Sequence, residues 1–279
     1  MNHLYINHTP EVYWFEYGGN KIGRLYLEGS QAEEFPKWRL IAKFRLEFPS
    51  HFAIVYAQAE YGFFLLGGSS NNCLQFVNKN IVVRQSMPEK SFFAAVYLKG
   101  RLYTFGGYDN FEKLQLKTCE VFDIAKNEWT LRPGYQLNEA RSQASACIFE
   151  DQTIFVFGGY NKETGTLSSI EKVDLKQSTV SLIDIRMPCP LRRFSSIKIS
   201  TTKILLIGGV ARMNKESDAV FCFDLEKEYS IEKLDKIDKA GVVDYPVLVD
   251  AIGNLHLLLE NASGTAPPTH VVYSFLEYS

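Results

Sequence analysis

Five glycine doublets, each closing a short apolar run, do most to limit what this chain can fold into: Tyr17-Gly18-Gly19, Leu66-Gly67-Gly68, Phe105-Gly106-Gly107, Phe157-Gly158-Gly159 and Ile207-Gly208-Gly209. The steps between their first glycines are 49, 39, 52 and 50 residues. Self-similarity near that period marks a repeat architecture, in which each unit is one supersecondary piece that buries its apolar face only against its neighbours. A second register keeps phase with the first. After three of the doublets comes a strand that ends in aspartate: Glu120-Val121-Phe122-Asp123, Glu171-Lys172-Val173-Asp174 and Val220-Phe221-Cys222-Phe223-Asp224. The pattern returns as Leu255 to Leu259 followed by Val271 to Leu276, with Glu260-Asn261 in place of the glycines. That makes a sixth, degenerate unit.

Composition agrees with a repeated β unit. Twenty Phe and fifteen Tyr beside nineteen Gly are the strand formers and turn formers of an all-β chain. At 279 residues with 46% hydrophobic residues there is ample material for a core. Thirty Lys and Arg against thirty-two Asp and Glu leave a formal charge of −2, which favours neither nucleic acid nor an anionic membrane as a partner. The most apolar runs, such as Phe63 to Leu66, have strand length and fall well short of the roughly 18 residues of a membrane span. Residues Met1 to His8 lack the basic start and apolar middle of a signal peptide. Cys73, Cys119, Cys147, Cys189 and Cys222 are odd in number, far apart and without a C-x-x-C pair, so we expect reduced thiols and a cytoplasmic location.

The unit Leu102-Tyr103-Thr104-Phe105-Gly106-Gly107, followed by Val121-Phe122 and Trp129, resembles the Kelch repeat: an apolar run, a glycine doublet, a spaced aromatic and a tryptophan. Tyr26 and Trp38 follow the first doublet in the same way, and Val180 and Tyr229 fall near the tryptophan position of later units. The resemblance covers essentially the whole chain. It implies an all-β fold, a single six-bladed Kelch-type β-propeller over 1–279, with four-stranded antiparallel blades near 11–48, 49–88, 89–138, 139–188, 189–240 and 241–279 plus 1–9. Each unit is expected to place its inner strand first (Phe92 to Leu98, Gln143 to Phe149, Phe194 to Ile199), the glycine-doublet strand second, the aspartate-ended strand third and an outer strand fourth. The N-terminal Leu4 to Asn7 is expected to complete the last blade and close the ring, which removes an open sheet edge. The first unit shows a hairpin without a clear inner strand. The sign-alternating run from Glu226 to Lys239 reads as a lysine-guarded outer strand and loop rather than a helix.

In Kelch-like propellers, the loops from second to third strand and from fourth to first strand gather on one face, where relatives bind partners. Those loops are rich here in Tyr, Asn, Ser and Arg, residues suited to contact area and directed hydrogen bonds. The candidates are Tyr108, Asn110, Tyr160, Asn161, Arg212 and Asn214. Before the inner strands stand His51, Lys90, Arg141 and Arg192, at 16, 16, 17 and 16 residues ahead of a doublet glycine, with Arg193 alongside. Kelch-family adaptors use arginines at this place to capture acidic peptides. The resemblance therefore implies a ring of Lys90, Arg141 and Arg192 that receives carboxylates between Tyr108 and Tyr160. The bland alternative is that these cations pair with neighbouring Asp or Glu.

The leading expectation is a non-catalytic protein-interaction module that binds a protein or peptide, acidic ones included, with no cofactor, nucleic acid, membrane or small-molecule substrate. One alternative is a metal-dependent or carbohydrate-acting propeller enzyme. Another is an actin-associated cytoskeletal scaffold, since some relatives resemble actin cross-linkers. The five histidines form no ligand-spaced cluster, and no nucleophile, phosphate-loop or zinc motif is present.

Overall fold

The computed structural model describes residues 11–15, 20–26, 39–43, 48–226, 229–237, 248–249, 254–259 and 269–274. Six antiparallel sheets of three or four strands succeed one another along the described chain, beside two small two-stranded ones. The first has three strands (Glu11–Phe15, Lys21–Tyr26, Arg39–Lys43). The second has four (Ala53–Tyr56, Phe63–Leu66, Cys73–Val77, Asn80–Val83). So does the third (Ala94–Leu98, Arg101–Phe105, Cys119–Asp123, Glu128–Leu131). The fourth comprises Ser145–Phe149, Thr153–Phe157, Ile170–Asp174 and Thr179–Leu182, and the fifth Ser195–Lys198, Lys203–Ile207, Ala219–Asp224 and Ser230–Lys236. The sixth has Leu248–Val249, Asn254–Leu259 and Thr269–Ser274. Strands pair in chain order within each of these sheets, so each is a meander.

The apolar runs are explained by burial on both faces. In Phe63–Leu66 all four side chains are buried, but Phe64 and Leu66 point into one cluster while Phe63 and Leu65 point into another. Side chains of a strand alternate between faces, so a strand sandwiched between two neighbours must be apolar throughout. Each cluster joins consecutive sheets. Phe15 and Ile22 meet Phe52, Ile54 and Phe63 between the first and second. Phe64 and Leu66 meet Phe93, Leu102 and Phe122 between the second and third. Phe105 and Val121 meet Ile154 and Val156 next, and Phe155 and Phe157 meet Leu206 and Phe223 after that. The first strands of the second to fifth sheets lie side by side in that order. Sheets stacked face to face, with their first strands adjacent, form the arrangement of propeller blades.

In the second to fifth sheets the doublet glycines follow the second strand, where a side chain has little room. Gly106 has φ +60°, and a Cβ there would stand 2.3 Å from the carbonyl oxygen of Arg141. Gly107 N–H donates to that same carbonyl at 2.8 Å. The doublet thus lets the loop entering one sheet dock on the preceding sheet. The aspartates that end the third strands shape the following turns: Asp174 Oδ1 accepts the N–H groups of Lys176 and Gln177 at 2.9 and 2.8 Å. The carboxyl of Asp123 is held below its ordinary value, first by the N–H of Lys126.

Trp129 packs on Phe122 with ring centroids 5.0 Å apart, and its Nε1 donates to the carbonyl of Gln85 in the linker from the second sheet. Tyr229 stacks on Phe223 at 5.8 Å, and Val180 packs against the cluster between the third and fourth sheets. Val180 stands at the tryptophan's register position, opposite Val173 as Trp129 is opposite Phe122, whereas in the fifth sheet Ile231 stands there, opposite Phe223, and Tyr229 reaches Phe223 from the turn before the strand. Ser230–Lys236 is a paired outer strand, as the repeat register requires for the charged run. The inner strands begin later than the sequence suggests, at Ala94, Ser145 and Ser195, because Phe92, Gln143 and Arg193 just before them take φ of +54°, +57° and +53°. The first doublet, the degenerate Glu260-Asn261 and the N-terminal closing segment lie outside the described residues.

Candidate functional site

Two kinds of connection meet at one end of the sheets, those from second to third strand and those from fourth to first. Their contact is direct: Ser91 bridges to Tyr108, Ser142 to Tyr160 and Arg192 to Val210. The second-to-third connections of the third and fourth sheets are small hairpins rather than plain loops. Tyr108–Asp109 pairs with Leu114–Gln115, and Tyr160–Asn161 with Gly165–Thr166. In the fifth sheet a short 3-10 turn, Arg212–Asn214, takes that place.

These contacts fix which residues are equivalent, and they split the expected cation ring. The Gly68 N–H donates to Lys90 O, the Gly107 N–H to Arg141 O and the Gly159 N–H to Leu191 O. The counterpart of Lys90 and Arg141 is therefore Leu191, while Arg192 corresponds to Ser91 and Ser142. Counting residues back from the doublet misses this because the connection between first and second strands varies in length, from two residues at Lys99-Gly100 to six between Tyr56 and Phe63. A shift of one residue turns a side chain to the other face.

Lys90 and Arg141 consequently lie inside the molecule, 1% and 0% exposed. Lys90 Nζ pairs with Glu120 and donates to Gly106 O at 3.1 Å, while Thr104 Oγ1 donates to Glu120 Oε2 at 2.9 Å. Arg141 Nη2 reaches Glu171 Oε1 at 2.7 Å and Glu139 Oε2 at 3.1 Å, and its Nη1 donates to Gly158 O at 2.8 Å. Burial pulls this guanidinium below its ordinary value, opposed chiefly by Glu171 and then Glu139. The two cations are buried and paired with glutamates of their own sheets or entering loops, which is the pairing alternative raised above. In the fifth sheet the corresponding pair is Leu191 and Phe221, 0% and 2% exposed and in one apolar cluster.

The remaining candidates stay near the surface. Arg192 is half-buried, its Nη1 donating to Gln143 Oε1 at 2.5 Å and its Nη2 to Asn214 Oδ1 at 2.6 Å, with the guanidinium carbon 5.5 Å from the Tyr160 ring centroid. Two neutral acceptors and an aromatic face pre-organise that cation. Asn110 accepts from Ser91 Oγ at 2.9 Å and donates to Gly68 O at 3.1 Å. Asn161 Nδ2 donates to Ala140 O at 2.8 Å. Tyr108 is half-buried, and Arg212 is exposed. His51, Phe92, Gln143 and Arg193 form a rim of equivalent positive-φ residues; Gln143 N–H donates to Phe92 O at 2.7 Å and Arg193 N–H to Gln143 O at 3.0 Å. The His51 and Phe92 rings lie 4.6 Å apart.

Sequence reasoning did not single out Phe92, Gln143, Phe111 or Met213. Phe111 is 87% exposed at the tip of the third sheet's small hairpin, where Asp109 Oδ1 accepts the N–H groups of Phe111 and Glu112 at 2.8 and 2.9 Å. Met213, 100% exposed with φ +56°, tips the corresponding turn of the fifth. The signal available was an apolar residue among turn formers. Among the described residues no group of three or more His, Cys, Asp and Glu could hold a metal ion, and no helix is long and apolar enough to cross a membrane.

Comparison with known proteins agrees with this geometry. Residues 92–239 match the family described as the KLHDC2/KLHL20/DRC7 Kelch-repeats domain. Beta-scruin of Limulus polyphemus is 30% identical over 146 residues, 48% of this chain and 15% of that protein. Alpha-scruin of the same organism is 28% identical over 149 residues, 50% of this chain and 16% of that protein. The matched stretch is thus about one sixth of each relative's length. With the glycine doublets, the four-stranded meanders and the face-to-face stacking in place, the match over more than half the sequence makes this chain a member of the Kelch-repeat family.

Proposed function

We propose that the chain closes into a six-bladed propeller and works as a non-catalytic protein-interaction module in the cytoplasm, with its partner docked on the loop-rich end of the blades. The observation that carries this reading is the pair of rigidly presented apolar tips, Phe111 and Met213, at 87% and 100% exposure on the same end as Arg192 and Arg193. Large apolar side chains held out in water cost free energy unless something covers them, and aromatic and arginine anchors dominate binding energy when it does. Kelch repeats generally mediate protein–protein contacts, which supports the same class. Arg192 and Arg193 suit carboxylates, so acidic segments are the partner chemistry we favour.

The test is in-cell cross-linking followed by affinity recovery, with the wild type beside Phe111→Ser, Arg192→Ala and an outer-strand control, Val83→Ser. Loss of one defined set of partners with the first two variants, but not with the control, is expected. Retention of all partners by both Phe111→Ser and Arg192→Ala would move the binding face elsewhere. Co-sedimentation with filamentous actin, run on the same variants, reads the cytoskeletal alternative.

A further inference from the structure

We propose that Met213 is a hydroperoxide-sensitive modification site, and that its conversion to methionine sulfoxide turns the fifth blade's loop tip from apolar to polar. The described methionines differ sharply. Met87 and Met187 are 3% exposed within the apolar clusters, whereas Met213 is 100% exposed. Thioether oxidation follows access of the oxidant to sulfur. In the reaction the sulfur lone pair attacks one oxygen of the hydroperoxide and the O–O bond breaks. The sulfur gains that oxygen and is oxidised by two electrons, and the departing oxygen takes a proton to leave as water or an alcohol.

The position couples this chemistry to the candidate site. Met213 stands between Arg212 and Asn214 in a left-handed turn, with φ of +56° and +58° at residues 213 and 214. Asn214 Oδ1 accepts from Arg192 Nη2 at 2.6 Å, and Arg192 Nη1 donates in turn to Gln143 Oε1 at 2.5 Å. The turn is tied down by Ala211 N–H to Lys215 O at 2.8 Å and by the bridge between Val210 and Glu216. A sulfoxide oxygen is a strong acceptor. The sulfoxide is larger and more strongly hydrated than the thioether, and the residue that carries it adjoins Asn214 in the left-handed turn, so oxidation is expected to perturb the backbone that holds Asn214 against Arg192. Its consequence for partner binding rests on the loop-face reading above; the modification itself does not.

The folded protein is treated with hydrogen peroxide, and sulfoxide is followed at each methionine by peptide mapping, in wild type and in Met213→Leu. Met213 is expected to oxidise at least about tenfold faster than Met87 and Met187, and methionine sulfoxide reductase is expected to reverse it. Hydrogen exchange of the wild type should speed up after oxidation over residues 210–217, with no such change in peroxide-treated Met213→Leu. Comparable oxidation of Met87 or Met187, an unreactive Met213, or unchanged exchange in that turn after complete oxidation would each overturn the proposal. None of these readouts needs a partner, so they stand apart from failure of the interaction reading.

Discussion

Arg141 and Arg192 show how far apart two arginines of similar sequence setting can be. Arg141 is fully enclosed against Glu171, with the part-exposed Glu139 beside it, so removing it strands the buried Glu171 carboxylate; Arg141→Ala should cost about 3–5 kcal/mol, read as a fall in the urea midpoint. The fifth blade supplies the compensating design, because Leu191 and Phe221 occupy the equivalent places with no charge. The double variant Arg141→Leu with Glu171→Phe is therefore expected to be more stable than either single change, a double-mutant cycle with strong coupling. Arg192→Ala, at a half-buried position where the guanidinium bonds Gln143 and Asn214, should cost less than Arg141→Ala, about 1–3 kcal/mol, while removing the cation from the loop face. A thermal melt of the two alanine variants side by side separates the structural arginine from the surface one.

At the scale of the blade, the glycine doublet and the entering loop of the next sheet act as one joint. Gly158 has φ +52°, and a Cβ there would lie 2.5 Å from Leu191 O and 2.6 Å from Met187 Cε. Gly158→Ala is expected to cost more than about 2 kcal/mol, since positive-φ strain and a clash with backbone add. Gly165, with φ +82° but open space around its Cβ position, is the matched control; Gly165→Ala should cost about 1 kcal/mol, from the backbone conformation alone. Met87, Leu137, Met187 and Ile237 recur at intervals of fifty residues as buried anchors behind the loops, at 2–4% exposure. That spacing was in the sequence all along, but it could not be distinguished from ordinary apolar residues until the sheets showed which of them sit at equivalent joints.

Across the whole molecule, stacked apolar faces make stability depend on keeping thiols neutral. Burial pushes Cys73 and Cys147 up to about 12 from an ordinary value of 9.0, and raises Cys119 further still. Because the folded values lie above the unfolded one, this contribution is fully present below pH 9 and is lost as pH rises toward 12. The urea midpoint should therefore fall between about pH 9 and pH 12, with a shallower slope in Cys147→Ala, where one titrating thiol is gone. Ring closure belongs to this scale too. If residues 1–9 complete the last blade, deleting them lowers the melting temperature by several degrees; an unchanged melt counts against closure by that segment.

The sequence by itself determined the repeat, the strand order within it and the fold family, because glycine doublets and aspartate-ended strands are local demands of backbone geometry. It also showed which positions must be apolar, since a strand buried on both faces carries no polar alternation. Only the tertiary structure decided the fate of the charges. Whether a cation before an inner strand faces solvent or a buried glutamate depends on a one-residue register between loop and neighbouring blade, and that register is set by hairpin lengths elsewhere in the unit. Lys90 and Arg141 fall on the inner side of it and Arg192 on the outer, although their spacing from the glycines is nearly the same. Phe111 and Met213 fall in the second-to-third loops by sequence, but the sequence does not say whether an apolar loop residue folds back onto the sheets or stands out in water. Their exposure follows from their place at the tips of the short hairpin and turn that project beyond the sheets.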